Sequence, residues 1–390
     1  MSDKHEAHAA QPKQFEKTTP LPDVLEMYVN KKIYSGWLDV SITRELNSCA
    51  SDFQFELLDK WEQTKEPWRL APGEIVHLHA GGKSILTGFI DRTEASVSAS
   101  ERRITTGGRS KTADLVDCSV MGEESQFNGL DLKTIAEKLC KPFSVSTSFY
   151  GDVGNAFANL KVCAGETVFA LLDKLARQRK LVMYPSVEGA LIFAPPGIRL
   201  AQTELKQGVN VKSGSVSWDH THRFSLYRTK SESNNLSWLK DDSVGKAAPA
   251  GEATDGAVGR YRPLMLVNEV TGDDEVVEDR AAYEASLRAA QALEATVEVQ
   301  GWFQAPGRLW DINEIVATDI GFLGIRRKML VSKVVYKKNN SGTTATLSLI
   351  LPNALDFKVK KKKAKDGGDL SWIKTLDRKD DYGDAKGGRR

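Results

Sequence analysis

Apolar and polar positions alternate with a period of two along the first third of the chain. Leu25 to Val29 reads as a strand and Asn30-Lys31-Lys32 as a turn; Leu38, Val40 and Ile42 then share one face of the next strand, with Asp39, Ser41 and Thr43 on the other. Phe53, Phe55 and Leu57 repeat the pattern. Pro72-Gly73 marks another turn, after which Val76 and Leu78 alternate with His77 and His79. Ile85 to Ser98 is rich in β-branched residues and predicts one long strand, which Ala99-Ser100-Glu101-Arg102 turns back into a second strand from Ile104 to Gly107. Gly107 and Gly108 are expected to adopt angles that residues with a Cβ avoid, taking the chain out of the sheet into a helical turn at Leu115-Val116. Six or seven antiparallel strands over residues 23–122 predict a small β-barrel or sandwich.

The period then changes. Leu132, Ile135, Ala136, Leu139 and Cys140 form the stripe of an amphipathic helix that Lys141-Pro142 ends. Val168, Leu171, Leu172 and Leu175 form a second stripe, opened by Gly165-Glu166-Thr167. Leu181 to Tyr184 and Leu191 to Phe193 predict a hairpin around Glu188-Gly189, so residues 123–200 read as a small inserted α+β domain.

Alternation returns over residues 201–355, a second β-barrel-like domain. Val216, Trp218, His220, His222, Phe224 and Leu226 share one parity and predict one strand; residues 231–258 read as a mobile polar loop, and Tyr261 to Val267 as a new strand. An alanine-rich run over 277–294 has good helix propensity but a thin apolar stripe, which places it on a surface or against a neighbouring subunit. Val297 to Trp302, a turn at Pro306-Gly307, Leu309-Trp310, Met329 to Tyr336, a turn at Asn339 to Gly342, and alternating Ala345, Leu347, Leu349 and Leu351 complete the sheet. Residues 1–22 predict a flexible arm and 356–390 a basic flexible tail that includes Lys358, Lys360, Lys361, Lys362, Lys363 and Lys365. The whole is mainly β with α+β: two antiparallel β-barrel-like domains, an inserted α+β domain and flexible termini.

One ordered series carries a resemblance. Gly88-Phe89-Ile90-Asp91-Arg92, a return strand, and Gly107-Gly108-Arg109-Ser110-Lys111-Thr112-Ala113-Asp114-Leu115-Val116-Asp117-Cys118-Ser119 come first. The helix, strand, glycine-turn, strand order of 123–200 follows, then Gly301-Trp302, Leu309-Trp310 and Gly342-Thr343-Thr344. Over about residues 25 to 355 this resembles the baseplate hub proteins of Mu-like phages with contractile tails. The resemblance implies a structural protein of the virion's tail baseplate, assembled in the bacterial host cytoplasm. It implies a homotrimer in which two similar domains per subunit make a pseudo-sixfold ring. Such a ring joins a sixfold tail tube or tube-initiating protein to a threefold membrane-piercing spike, meets other baseplate proteins, and passes genomic DNA in transit. The hub of a contractile injection or secretion system shares this architecture.

Composition narrows the chemistry. With 390 residues, a net charge of +2 and 27% charged residues, the chain has no bulk electrostatic case for nucleic-acid affinity. Its four cysteines, Cys49, Cys118, Cys140 and Cys163, are scattered and read as reduced thiols made in a cytosol. No apolar run of membrane-spanning or signal-peptide length is apparent, so no direct membrane anchor is expected.

Each candidate site has a structural counterpart. Gly81-Gly82-Lys83-Ser84 imitates the end of a phosphate loop, but His77 stands where the first glycine is needed and a strand follows, which favours a hairpin turn. His77 with His79, and His220 with His222, could each pair on one strand face, yet zinc needs three or four ligands. The first pair reads as solvent-facing and the second as hydrogen-bonded at a domain contact. Asp114 and Asp117 could pair for acid/base work but sit beside Arg109 and Lys111, which favours ion pairing. The basic run at 358–365 is either a solvated tail or a contact for nucleic acid or an acidic partner. Trp37, Trp218, Trp302 and Trp310 are core residues or interface anchors. No catalytic, cofactor or metal residue is assigned and no enzyme activity is expected; a tail-associated cell-wall hydrolase and a carbohydrate-binding β protein are the readings from other classes.

Overall fold

The computed structural model describes residues 24–46, 48–58, 70–99, 102–121, 127–157, 160, 162–179, 181–231, 250–268 and 274–352. The expected arm 1–22 and tail 356–390, and residues 232–249 of the expected loop, lie outside the described residues.

Seven strands open the fold: β1 (Leu25–Val29), β2 (Lys32–Tyr34), β3 (Asp39–Glu45), β4 (Asp52–Leu58), β5 (Ile75–Ala80), β6 (Lys83–Val97) and β7 (Arg102–Ser110). Their apolar positions fall inward as the alternation requires, with Met27, Ile42, Phe55, Val76 and Leu78 all fully buried. Asn30 and Lys31 take φ of 48° and 64°, and Gly81 and Gly82 take 52° and 75°; two positive φ values are what a tight turn between right-twisted strands needs.

Gly107 and Gly108 stay inside β7 instead of leaving the sheet, and neither has a positive φ. Their contribution is room. A Cβ on Gly108 would lie 2.0 Å from the Phe89 carbonyl oxygen and 2.7 Å from Cζ of Phe53, and one on Gly88 would lie 1.9 Å from the Arg109 carbonyl oxygen. The chain leaves the sheet only after Ser110, through a 3-10 turn into α1 (Asp114–Asp117).

The α+β unit comprises α2 (Leu132–Cys140), β8 (Thr147–Phe149), α3 (Val168–Gln178), β9 (Val182–Pro185) and β10 (Leu191–Ala194). Asp131 caps α2 by accepting from the Thr134 amide at 2.8 Å, and Thr167 caps α3 from Ala170 at 3.2 Å. β8 pairs parallel to β10 and was not foreseen, since Thr-Ser-Phe is too short to show a period. Leu132, Ile135, Leu171, Leu172, Leu175 and Phe193 form the core, joined by Leu115 and Cys49 from the preceding region.

The remaining strands are β11 (Arg199–Leu200), β12 (Leu205–Lys206), β13 (Val211–Trp218), β14 (Leu226–Ser231), β15 (Ala250–Thr254), β16 (Pro263–Asn268), β17 (Leu293–Gln300), β18 (Phe303–Ala305), β19 (Arg308–Leu309), β20 (Glu314–Ile320), β21 (Ile325–Asn339) and β22 (Gly342–Ile350). The strand expected across 216–226 is broken. Its parity persists, but the chain loops over 219–225 and enters a separate sheet of order β15-β14-β16. β15 occupies part of the stretch expected to be a loop. The expected helix over 277–294 is α4 (Asp274–Gln291), whose thin stripe of Ala281 and Ala285 packs on Tyr227 of that small sheet.

The two β regions share one 14-stranded sheet along the path β13-β17-β22-β21-β3-β4-β7-β6-β5-β1-β2, with β20, β11 and β12 attached beside β21. The path is open and closes no barrel among the described residues. Its two halves repeat one another. From β1 and β2 the order runs β5, β6, β7, β4, β3; from β11 and β12 it runs β20, β21, β22, β17, β13. β6 and β21 each have 15 residues, and β7 and β22 each have 9. Each long hairpin carries a bulge at the matching place, at Asp91 between Ile90 and Arg92 and at Ser332 between Val331 and Lys333. One difference is that β1 runs antiparallel to β5 whereas β11 and β12 run parallel to β20. The halves meet where β21 pairs with β3, from Lys333 opposite Glu45 to Lys338 opposite Val40.

Gly108→Ala is expected to lower the unfolding free energy by about 2–3 kcal/mol, because the new methyl has backbone on one side and a packed ring on the other. Gly107→Ala, whose Cβ would stand 3.3 Å from the Phe53 carbonyl oxygen, is expected to cost much less. Urea melts of the two variants side by side check this.

Candidate functional site

β3 follows strict alternation, and its inward positions are Val40, Ile42 and then Arg44. A guanidinium thus occupies a core position. It is tolerated because it is paired and hydrogen-bonded: Asp311 pairs with Nη1, and the Pro185 carbonyl accepts from Nη2 at 3.0 Å. The other Asp311 oxygen accepts from Arg199 at 2.8 Å. Glu314, 1% exposed, accepts from Arg308 at 2.8 Å and from Gln304 at 2.7 Å. Burial pushes the Glu314 carboxyl above its ordinary value, with Arg308 and Gln304 pulling the other way. Asn313, at φ 60°, accepts from the Gly197 amide at 2.6 Å and donates to the Pro195 carbonyl at 3.1 Å. The Tyr336 hydroxyl donates to the Trp310 carbonyl, and burial raises its pKa.

Residues 310–314 are therefore bound to β3, to the exit of the α+β unit and to β21 together. This junction holds three parts of the chain in one arrangement. Sequence reasoning missed it because a buried Arg in an alternating strand looks like a break in the pattern, and the stretch Asp311-Ile312-Asn313-Glu314 shows no period at all.

The residues singled out from the sequence fall elsewhere. Gly81-Gly82 is the β5–β6 hairpin turn, as expected. His77 is exposed and its Nδ1 lies 3.3 Å from Thr87 Oγ1, whereas His79 is half-buried against the Tyr28 ring at 4.9 Å. His220 Nε2 accepts from Arg223, whose guanidinium is held on Asp255, and the His222 carbonyl accepts from Arg288. No group of three or more His, Cys, Asp or Glu placed to hold a metal occurs among the described residues. Asp117 pairs with Arg109 at 2.8 Å, which also holds Asp91 at 2.7 Å. That contact keeps the Asp117 carboxyl below its ordinary value. Cys49 and Cys140 are buried, and desolvation pushes Cys140 up to about 12, so both thiols stay protonated and inert. Trp37, Trp302 and Trp310 belong to the core, while Trp218 is 59% exposed.

Trp218 ends β13, and β13 is an end of the sheet path: it pairs with β17 on one side, and beyond a single bridge from Gln207 to Val211 its other edge has no paired strand among the described residues. A second open edge lies on β6. β5 covers Lys83 to Phe89, and beyond the contacts at Ile90 the outer edge of Asp91–Val97 has no paired strand among the described residues. Val97 there is 79% exposed. Long open strand edges with exposed apolar residues are the features by which β proteins recruit other chains.

Comparison with known proteins identifies the family. Residues 24–110 match the N-terminal domain of Mu phage baseplate assembly protein GpP-like proteins, 112–195 the second domain of gp44-like baseplate hub proteins, and 274–358 the fourth domain of GpP. The chain is 30% identical over 340 residues to baseplate hub protein gp44 of Escherichia phage Mu, covering 85% of this chain and 88% of that one. It belongs to the baseplate hub proteins of Mu-like phages. Among solved structures, a 43 kDa tail protein of prophage MuSo2 from Shewanella oneidensis is similar at a TM-score of 0.76 and 29% identity, covering 86% of this chain and 99% of that one. A tail protein of Neisseria meningitidis shares the fold at a TM-score of 0.70 and 19% identity, covering 85% and 98%. In this hub the junction at Arg44 is a structural centre. No helix among the described residues is long and apolar enough to cross a membrane.

Arg44→Ala is expected to cost about 2–4 kcal/mol, because it leaves the Pro185 carbonyl without its donor, takes one of two cations from Asp311 and empties a core position. Chemical denaturation of the full chain reads this directly. Asp117→Asn is expected to cost under about 1 kcal/mol at pH 7, since the pair is half-exposed. Because the Asp117 pKa is depressed in the fold, that difference is present above its ordinary value of 3.8 and closes as the pH falls through the folded value. Melting curves of both proteins from pH 7 to acid check the sign.

Proposed function

We propose that this chain forms a homotrimeric ring at the centre of a contractile-tail baseplate. The ring joins a sixfold tail tube to a threefold spike, contacts other baseplate proteins, and lets the genome pass during ejection. The chain does this as a structural protein, assembled in the host cytoplasm, with no reaction of its own.

The observation that carries the proposal is the repeated strand path. Each chain contains two β units with the same order, the same long-strand lengths and matching bulges, so three copies around a threefold axis offer six similar units. A threefold assembly with six similar units resolves the mismatch between a sixfold and a threefold neighbour. Membership of the hub family supports the placement in the baseplate.

Light scattering after size exclusion is expected to give a mass near three times 43.0 kDa, with ring-shaped particles by negative stain. A chain that stays monomeric at high concentration and also fails to co-purify with a co-expressed tail spike protein would sink the ring. Incubation with purified peptidoglycan is expected to release no fragments.

A further inference from the structure

The internal duplication identifies how one copy meets the next. Within the chain, β21 of the second half pairs with β3 of the first, and this ladder uses the outer half of β21, beyond its bulge. β6 is the counterpart of β21, and β13 is the counterpart of β3. Among the described residues both counterparts have their corresponding edges open, β6 beyond Ile90 and β13 beyond the bridge at Val211. Resting on the ring reading above, we propose that β6 of one copy pairs antiparallel with β13 of a second copy, in the register that β21 and β3 use inside the chain.

The register follows residue by residue from the matched bulges and hairpin ladders. Arg92 takes the place of Lys333, since each directly follows its bulge, and Ala95 and Val97 take those of Tyr336 and Lys338. On the other side Val216 takes the place of Ile42 and Trp218 that of Arg44, as their ladders to β17 and β4 show. Tyr336 faces Ile42 in the internal ladder, so Ala95 faces Val216 of the second copy. Thr93 then faces Trp218, Val97 faces Gly214, and Arg92 faces Asp219.

Three independent properties of these residues fit that register. The first is apolar surface. The face of the internal ladder that carries Val334, Tyr336, Ile42 and Val40 is fully buried, and the same face of the open edges carries Val97 at 79% exposure and Trp218 at 59%. Pairing would cover both side chains. The second is charge. The internal ladder begins with Lys333 opposite Glu45, an ion pair at 3.2 Å. The corresponding pair between copies, Arg92 and Asp219, has the same signs on the same strands. The third is the polar face, where Glu94 and Ser96 would lie opposite Ser217 and Ser215, as Val335 and Lys337 lie opposite Thr43 and Ser41. None of these positions places like charges together. β13 also lacks proline, and a second copy removes the edge that this leaves exposed.

The test uses the full chain with Cys118→Ser and Cys163→Ser, which removes the two exposed thiols. Ala95→Cys with Val216→Cys in that background is expected to give covalent dimers and trimers on a non-reducing gel after mild oxidation with a diazenedicarboxamide. The displaced pair Thr93→Cys with Gly214→Cys is expected to give none. Separately, Arg92→Asp or Asp219→Arg alone is expected to weaken association by about tenfold, and the double exchange to restore it. A protein that runs at trimer mass but links only in the displaced pair, or in neither, overturns this joint and leaves the ring reading standing. One that neither links nor associates at any concentration, with or without spike, overturns both.

Discussion

Everything in this molecule hangs on one ladder, the pairing of β21 with β3. Strands distant in sequence must find each other there, and neither is held by a short connection. A ladder of that kind is slow to form and easily shifted by a residue, which would turn every buried side chain outward. The chain fixes it twice. Tyr336 and Ile42 lie opposite each other in the core, and Arg44, the next inward residue on β3, is pinned to Asp311 and to the Pro185 carbonyl. A slip would separate the guanidinium from its carboxylate inside the protein, at a cost that no alternative contact offsets. The charge thus specifies position more than it adds stability.

The same junction explains why the α+β unit can sit between two halves of one sheet without dividing it. Its exit strand and the segment to Arg199 are bound by Asn313 and Asp311, so the chain leaves the sheet at Ser110 and returns to it at a fixed point. The second insertion, α4 with its small sheet, enters at a different place in the repeat, between β13 and β17. The frame is repeated and its decorations are not.

How much of this the sequence disclosed depended on whether burial was one-sided. Strands such as Leu25–Val29 and Gly342–Ile350 are apolar on alternate residues because one face is dry, and they were readable almost to the residue. β20 was not, because Glu314 and Thr318 lie buried where the pattern asks for apolar residues. The break after Trp218 was invisible because a loop can keep the parity of the strand before it. Gly107 and Gly108 were noticed for the wrong property: their value is the absence of a Cβ against Phe53 and Phe89, a contact between strands that no local pattern records. The repeat was implied by the family resemblance and not by the residues, since its halves share order and bulges instead of side chains. Of the surfaces, Trp218 was singled out but not separable from the buried tryptophans, and Val97 looked like any strand valine.

Carrying two units on one chain also changes what assembly costs. Each separate body that joins a ring gives up translational and rotational freedom, a loss of several kcal/mol per association. The β21–β3 ladder incurs no such loss, because its two strands are tethered and meet at an effective concentration that dilution cannot lower. In the ring proposed above, half of the strand-to-strand joints would already be closed when the chain finishes folding.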